Sequence, residues 1–223
     1  MWLFDPLYLV MLLPALLLGF YAQWRVRSTF AQYSRVNAAS GTSAERLARR
    51  LLDGAGLSDV KIEQIKGTLT DHYDPRTRTL RLSNPESRSL AALGVAAHEV
   101  GHAIQHARAY RPLELRTAIV PVANFGSQLA LPLFFLGLFF QMPVLMTAGI
   151  IAYSLAVLFT LVTLPVEFNA SQRAIGLLQD GGFVTSGQEL GAVKRVLSAA
   201  ALTYVAAAAT AILTLLYLLS RRR

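Results

Sequence analysis

The chain has 223 residues, of which 54% are hydrophobic and 15% charged, with a formal net charge of +8 and no cysteine. That is too apolar for an ordinary soluble domain of this length, so a membrane protein leads, and the missing cysteine excludes disulfides and thiolate metal sites. A surplus of Lys and Arg can serve nucleic acid, but 18 of the 21 basic residues lie in two polar blocks beside apolar segments. Membrane topology produces that placement, and nucleic acid is not an expected partner.

In chain order, the first apolar segment covers 7–24. It has no Lys or Arg ahead of it and Arg25 and Arg27 behind it, so it reads as a retained transmembrane anchor (1–24) rather than a cleaved signal peptide. A polar domain follows over 25–116. Thr42-Ser43-Ala44-Glu45 fits a capping box, Leu47, Leu51 and Leu52 continue at helical spacing, and Gly54 and Gly56 end that helix. Stretches 60–65, 68–73 and 79–83 read as short strands, with Asp74-Pro75 as a turn. The strand at 79–83 is expected to offer an edge to an extended peptide. After Asn84-Pro85, residues 87–109 are alanine-rich and helical.

Two apolar stretches, 117–140 and 144–165, are separated only by Gln141, Met142 and Pro143, which predicts a helical hairpin over 117–166. Asn124, Ser127 and Gln128 are expected at its helix contacts. A second polar segment, 167–197, contains another capping box at Ser186-Gly187-Gln188-Glu189. A last apolar helix and a basic tail fill 198–223. Each apolar stretch is near the ~20 residues that cross a bilayer. The expected fold is therefore an α+β membrane protein, with about four transmembrane helices and a small domain carrying a short sheet.

Charge gives the orientation. Residues 25–116 carry 15 basic side chains and 167–197 carry Arg173, Lys194 and Arg195, whereas the hairpin tip has none. The positive-inside rule puts both polar segments in the cytoplasm. Arg221, Arg222 and Arg223 then fall on the opposite side, so either the last segment does not cross fully or these arginines reach back to headgroups.

His98-Glu99-Val100-Gly101-His102 lies inside the predicted helix. Residues four apart on a helix are about 40° apart around its axis, so both imidazoles point to one side and can ligate one zinc ion. Glu99, at the edge of the same face, can take a proton from the attacking water and hand it to the leaving amine. Gly101 removes a side chain beside the metal.

Such a site usually has three protein ligands. His106 is about 12 Å along the axis from His98, too far for a straight helix to bring all three histidines to one ion. Glu167 is the stronger candidate, because a carboxylate at the mouth of an apolar segment is costly without a partner, and the hairpin returns it to the side where the histidines lie. Glu114, Asp180 and Glu189 are weaker candidates, and an interfacial Glu167 facing headgroups is the alternative.

Three segments carry a resemblance: Gly67-Thr68-Leu69-Thr70-Asp71-His72-Tyr73-Asp74-Pro75, Ala96-Ala97-His98-Glu99-Val100-Gly101-His102-Ala103-Ile104-Gln105 and Leu164-Pro165-Val166-Glu167-Phe168-Asn169-Ala170-Ser171. Together they resemble the bacterial neutral zinc metallopeptidases of the YugP type, which are similar to the gluzincin clan that includes HtpX and the CAAX prenyl proteases. The resemblance implies a gluzincin domain at the membrane surface, His98, His102 and Glu167 as zinc ligands, and Glu99 as general base. The broader clan often has Asp four residues after its ligand Glu. Ser171 stands there in this chain, and either Asn169 or Ser171 is expected to substitute.

His72 is expected either to stabilise the oxyanion or orient a ligand, or simply to satisfy the turn with Asp71 and Asp74. Arg173 is expected to pair with a carboxylate of the site or to hold headgroups. The combined expectation is a zinc-dependent endopeptidase with one Zn²⁺ per chain, multi-pass in a bacterial plasma membrane. Its site would face the cytoplasm and take membrane proteins or peptides as substrates, with room for oligomerisation or accessory membrane partners. The rival is a catalytically silent, zinc-stabilised membrane scaffold or accessory protein.

Overall fold

The computed structural model describes residues 6–222. The fold is mostly helical: α1 (Pro6–Tyr33), α2 (Ala44–Gly54), β1 (Lys61–Gln64), β2 (His72–Asp74), β3 (Thr79–Leu82), α3 (Leu90–Ala107), α4 (Arg111–Phe139), α5 (Pro143–Asp180) and α6 (Gly187–Arg221). The chain divides into two compact units, one built from the segments up to Gln23, Glu114–Pro165 and from Leu202, the other from Trp24–Leu113 and Val166–Ala201.

The first unit is helical. Among the described residues, α4, α5 and α6 are long and apolar enough to cross a membrane. The span expected at 7–24 falls in α1; residues 1–5 of that anchor, like Arg223 of the tail, lie outside the described residues. Gln141, with φ 56°, turns the chain between α4 and α5, and the Met142 amide closes the turn on the Gly137 carbonyl at 2.7 Å. Glycine sets the closeness of the two helices: a Cβ on Gly149 would stand 2.6 Å from the Ala130 carbonyl oxygen and 2.7 Å from the Phe134 nitrogen. Small residues permit this backbone approach where apolar collapse gives no drive between helices. Phe134, Met146, Ile150, Tyr217 and Leu218 form a buried cluster. Val122, Phe125, Phe139 and Val144 remain more than half exposed, as lipid-facing side chains do. Asn124, Ser127 and Gln128, expected at helix contacts, are also exposed, and the Ser127 hydroxyl returns to the Asn124 carbonyl at 3.0 Å.

The second unit has a conventional core. Leu47 and Leu52 of α2, Leu80 and Leu82 of β3, and Leu90, Leu93, Ala97 and Val100 of α3 are buried together. Ala174 and Leu178 of α5 and Val193 and Leu197 of α6 join them. The N-cap of α2 is Ser43, whose hydroxyl accepts from the Arg46 amide, one residue later than the predicted box. Ser89 caps α3 in the same way through the Ala92 amide. Before α6, Ser186 accepts from the Glu189 amide at 3.1 Å and Glu189 reaches back to the Thr185 amide at 2.8 Å.

The sheet has the order β1-β3-β2, with β1 parallel and β2 antiparallel to β3. β3 is thus paired on both sides, and the free edge expected at 79–83 does not exist. The strand expected at 68–73 is shorter and later: residues 66–71 form a loop with Leu69 at φ 58°, and pairing begins at His72. Asp71 anchors the loop by accepting from the Ser83 amide and hydroxyl at 2.8 and 2.6 Å. The Asp74 carboxylate accepts from the Arg76 amide and the Thr77 hydroxyl, closing the β2–β3 turn.

Candidate metal centre

The centre lies within the second unit, where α3 meets α5. On α3, His98, His102 and Gln105 follow at helical spacing; on α5, Glu167, Ala170, Ala174 and Leu178 form a buried stripe. The helices approach at Gly101, where a Cβ would stand 2.8 Å from the Ala170 carbonyl oxygen. Gly101 therefore makes room for the backbone of α5, a reason different from the one expected at that position.

This approach brings three side chains together. His98 Nε2 is 3.1 Å from His102 Nε2 and 3.2 Å from Glu167 Oε2, and His102 Nε2 is 3.5 Å from Glu167 Oε2. Ligands about 2.0–2.1 Å from a tetrahedral ion stand about 3.3 Å from one another, so this donor set has the spacing of a zinc site. Two imidazoles and a carboxylate also suit zinc chemically. Among the described residues, His98, His102 and Glu167 are the group of metal-ligating type that converges in this way. The side chains of His98 and His102 are 13% and 12% exposed and that of Glu167 only 3%, so solvent reaches the histidines and the carboxylate is enclosed.

Glu99 is buried beside them, and the Tyr73 amide donates to its Oε2 at 3.0 Å. Burial pushes the Glu99 carboxyl above its ordinary pKa, against the opposing pull of His102 and His98. For His102 burial alone would lower the pKa; the hydrogen bond to Glu167 and the charge of Glu99 outweigh it and raise the value.

Each histidine has a partner on its far nitrogen. Ser171 Oγ lies 3.2 Å from His98 Nδ1, and Gln105 Oε1 lies 3.0 Å from His102 Nδ1. The model that describes the family "Putative neutral zinc metallopeptidase" matches residues 8–223. The "Putative membrane protease YugP" of Bacillus subtilis (strain 168) is 50% identical over 212 residues, 94% of this chain and 94% of that one. The chain belongs to the putative neutral zinc metallopeptidase family. No solved structure matches it.

Other expected residues of this metallopeptidase-family chain sit elsewhere. His72 is on β2, with Nδ1 2.9 Å from the Thr70 carbonyl and Nε2 3.4 Å from Arg81. His106 points to the Tyr73 hydroxyl, 2.9 Å away. Glu189 holds the amides of Ala39 and Thr185. Arg173, expected at a carboxylate of the site or at headgroups, donates from Nε to Asn169 Oδ1 at 2.8 Å. Two contributors were not singled out from sequence, Tyr73 and Gln105. The signal for Gln105 was its place three residues after His102 on an apolar face, where an amide has to find partners.

Proposed function

We propose that this chain is a membrane-bound, zinc-dependent metalloendopeptidase of gluzincin type, with His98, His102 and Glu167 holding one zinc ion and Glu99 as general base. The observation that carries the reading is the convergence of His98 Nε2, His102 Nε2 and Glu167 Oε2 beside a buried Glu99, in a chain of this family. When bound, zinc supplies a Lewis acid that acidifies water and polarises the scissile carbonyl.

The protein residues supply the proton chemistry. The Tyr73 amide holds one oxygen of Glu99 and leaves Oε1 to take the proton of the attacking water. Burial raises the Glu99 carboxyl above its ordinary pKa, which makes it a better proton acceptor than an exposed glutamate. As the C–N bond breaks, Glu99 returns the proton to the amine.

The test is Glu99→Gln in detergent-purified protein, with an unfolded casein as substrate. Cleavage falls by about 10²–10⁴-fold while about one zinc per chain remains bound. Unchanged cleavage sinks the mechanism. A wild type that holds zinc but cleaves nothing supports the scaffold reading.

Substrates in this reading are membrane proteins or peptides that reach the cytoplasmic face, and α1 is a fourth span. The basic residues of 25–116 support that orientation. Because the chain has no cysteine, one introduced at exposed Arg76 reports the side directly. In intact cells it reacts with a permeant maleimide and not with an impermeant one; labelling by the impermeant reagent reverses the topology.

His72 was expected either to stabilise an oxyanion or orient a ligand, or simply to satisfy the turn with Asp71 and Asp74. Its bonds to Thr70 and Arg81 support the humbler role of holding the loop before β2. His72→Ala separates the two: a kcat loss of about 10²-fold or more assigns the oxyanion role, and a kcat near wild type removes it.

A further inference from the structure

The hydrogen bonds behind His102 run in one direction, and the direction selects which ring nitrogen carries the proton. Arg173 Nε can only donate, so the Asn169 atom 2.8 Å from it is the oxygen, Oδ1. That same oxygen lies 3.0 Å from the side-chain amide of Gln105, which must present its nitrogen there. The Val166 carbonyl, 2.9 Å from the same nitrogen, imposes the same choice independently. The other terminal atom of Gln105 is then Oε1, which only accepts, and it lies 3.0 Å from His102 Nδ1. This chain of bonds holds a proton on His102 Nδ1. Nε2, turned to His98 and Glu167, is the nitrogen it leaves to a metal.

We propose that Gln105 is a positioning residue for the metal site: its amide, oriented by Asn169 and the Val166 carbonyl, holds His102 in the Nδ1–H tautomer and ties α3 to the turn of α5 that carries Glu167. The proposal rests on the reading of His102 and Glu167 as ligands. Three features of Gln105 support it. It is fully buried, at 0% exposure, so water does not compete for its bonds. It uses both ends of the amide. Its two α5 partners, Val166 and Asn169, flank Glu167 in sequence, so the same side chain that fixes one ligand's ring also fixes the backbone beside another. Outer partners of this kind orient a ligand before the metal arrives, and losing one typically costs about 10–100-fold in metal affinity.

The first measurement needs no variant. In metal-free wild type labelled with ¹⁵N-histidine, at a pH where His102 is neutral, the nitrogen shifts give the Nδ1–H tautomer; finding Nε2–H overturns the proposal. Zinc affinity is then read by chelator competition. Gln105→Met, similar in length and without hydrogen bonds, loses about 10–100-fold in affinity and populates both tautomers of His102. Gln105→Glu keeps an acceptor for Nδ1 but loses the bonds to Val166 and Asn169, so it retains the tautomer with an intermediate loss of affinity. A folded Gln105→Met that binds zinc like wild type overturns the proposal. If that variant does not fold, the wild-type tautomer and the Glu variant decide it. If wild type binds no zinc at all, the ligand reading fails, and the tautomer measurement still judges the hydrogen-bond chain on its own.

Discussion

The two units handle polar side chains in opposite ways. In the helical unit, several hydroxyls turn back on their own helix: Thr147 to the Pro143 carbonyl, Ser154 to Ile150, Thr163 to Phe159 and Thr210 to Ala206. Each bond spans four residues or fewer and leaves nothing for chemistry. In the other unit, polar groups bond across the chain: His98 to Glu167, Gln105 to Val166 and Ser171 to His98. A bilayer gives no water to satisfy a stray polar group, so the spans satisfy theirs locally. A core that is dry on the inside but reached by solvent at its edge can hold a converging set of donors, and such a set has uses beyond packing. The difference teaches where to look for function in a chain that is mostly apolar: at the long-range polar contacts.

The comparison breaks most sharply at Glu167. Its carboxylate joins α5 to His98 and His102 of α3. Glu167→Ala removes the third donor and leaves two neutral imidazoles, and zinc affinity falls by at least the 10–100-fold that loss of an outer partner produces. The measurement is zinc per chain after gel filtration in detergent, with wild type alongside. A variant that keeps its zinc moves the third ligand to another residue.

What the sequence made legible was the part written in local periodicity. The hairpin at Gln141, Met142 and Pro143, the glycine stop after α2 and the helix with His98 and His102 follow from spacing and turn chemistry alone. Glu167 was reachable as well, because a carboxylate directly after an apolar run asks for a partner. What was not legible depends on which backbone lies against which. The pairing order of three short strands cannot be read from alternation, so β3 was assigned an edge that it does not have. Gly101 looked like a gap beside a metal and is a crossing point with Ala170. Gln105 sat in view three residues after His102, but its function depends on Val166 and Asn169, about sixty residues further along.

A smaller effect sharpens the comparison with one kind of substitution in each unit. Gly101→Ala puts a methyl 2.8 Å from the Ala170 carbonyl oxygen, and Gly149→Ala puts one 2.6 Å from the Ala130 carbonyl oxygen. Both obstacles are backbone, so a helix has to shift, and each change destabilises its unit by about 1–3 kcal/mol. The consequences separate after that. Ala170 stands between Glu167 and Ser171, so a shift there also moves a proposed ligand and the partner of His98, and zinc affinity drops with stability. Ala130 belongs to the helical unit, and Gly149→Ala lowers the melting temperature while zinc affinity stays at the wild-type value. Thermal melting and chelator competition on the same two preparations read both quantities. If Gly101→Ala loses stability but not zinc, the close crossing of α3 and α5 serves packing only, and the polar contacts, not the approach of the helices, set the site.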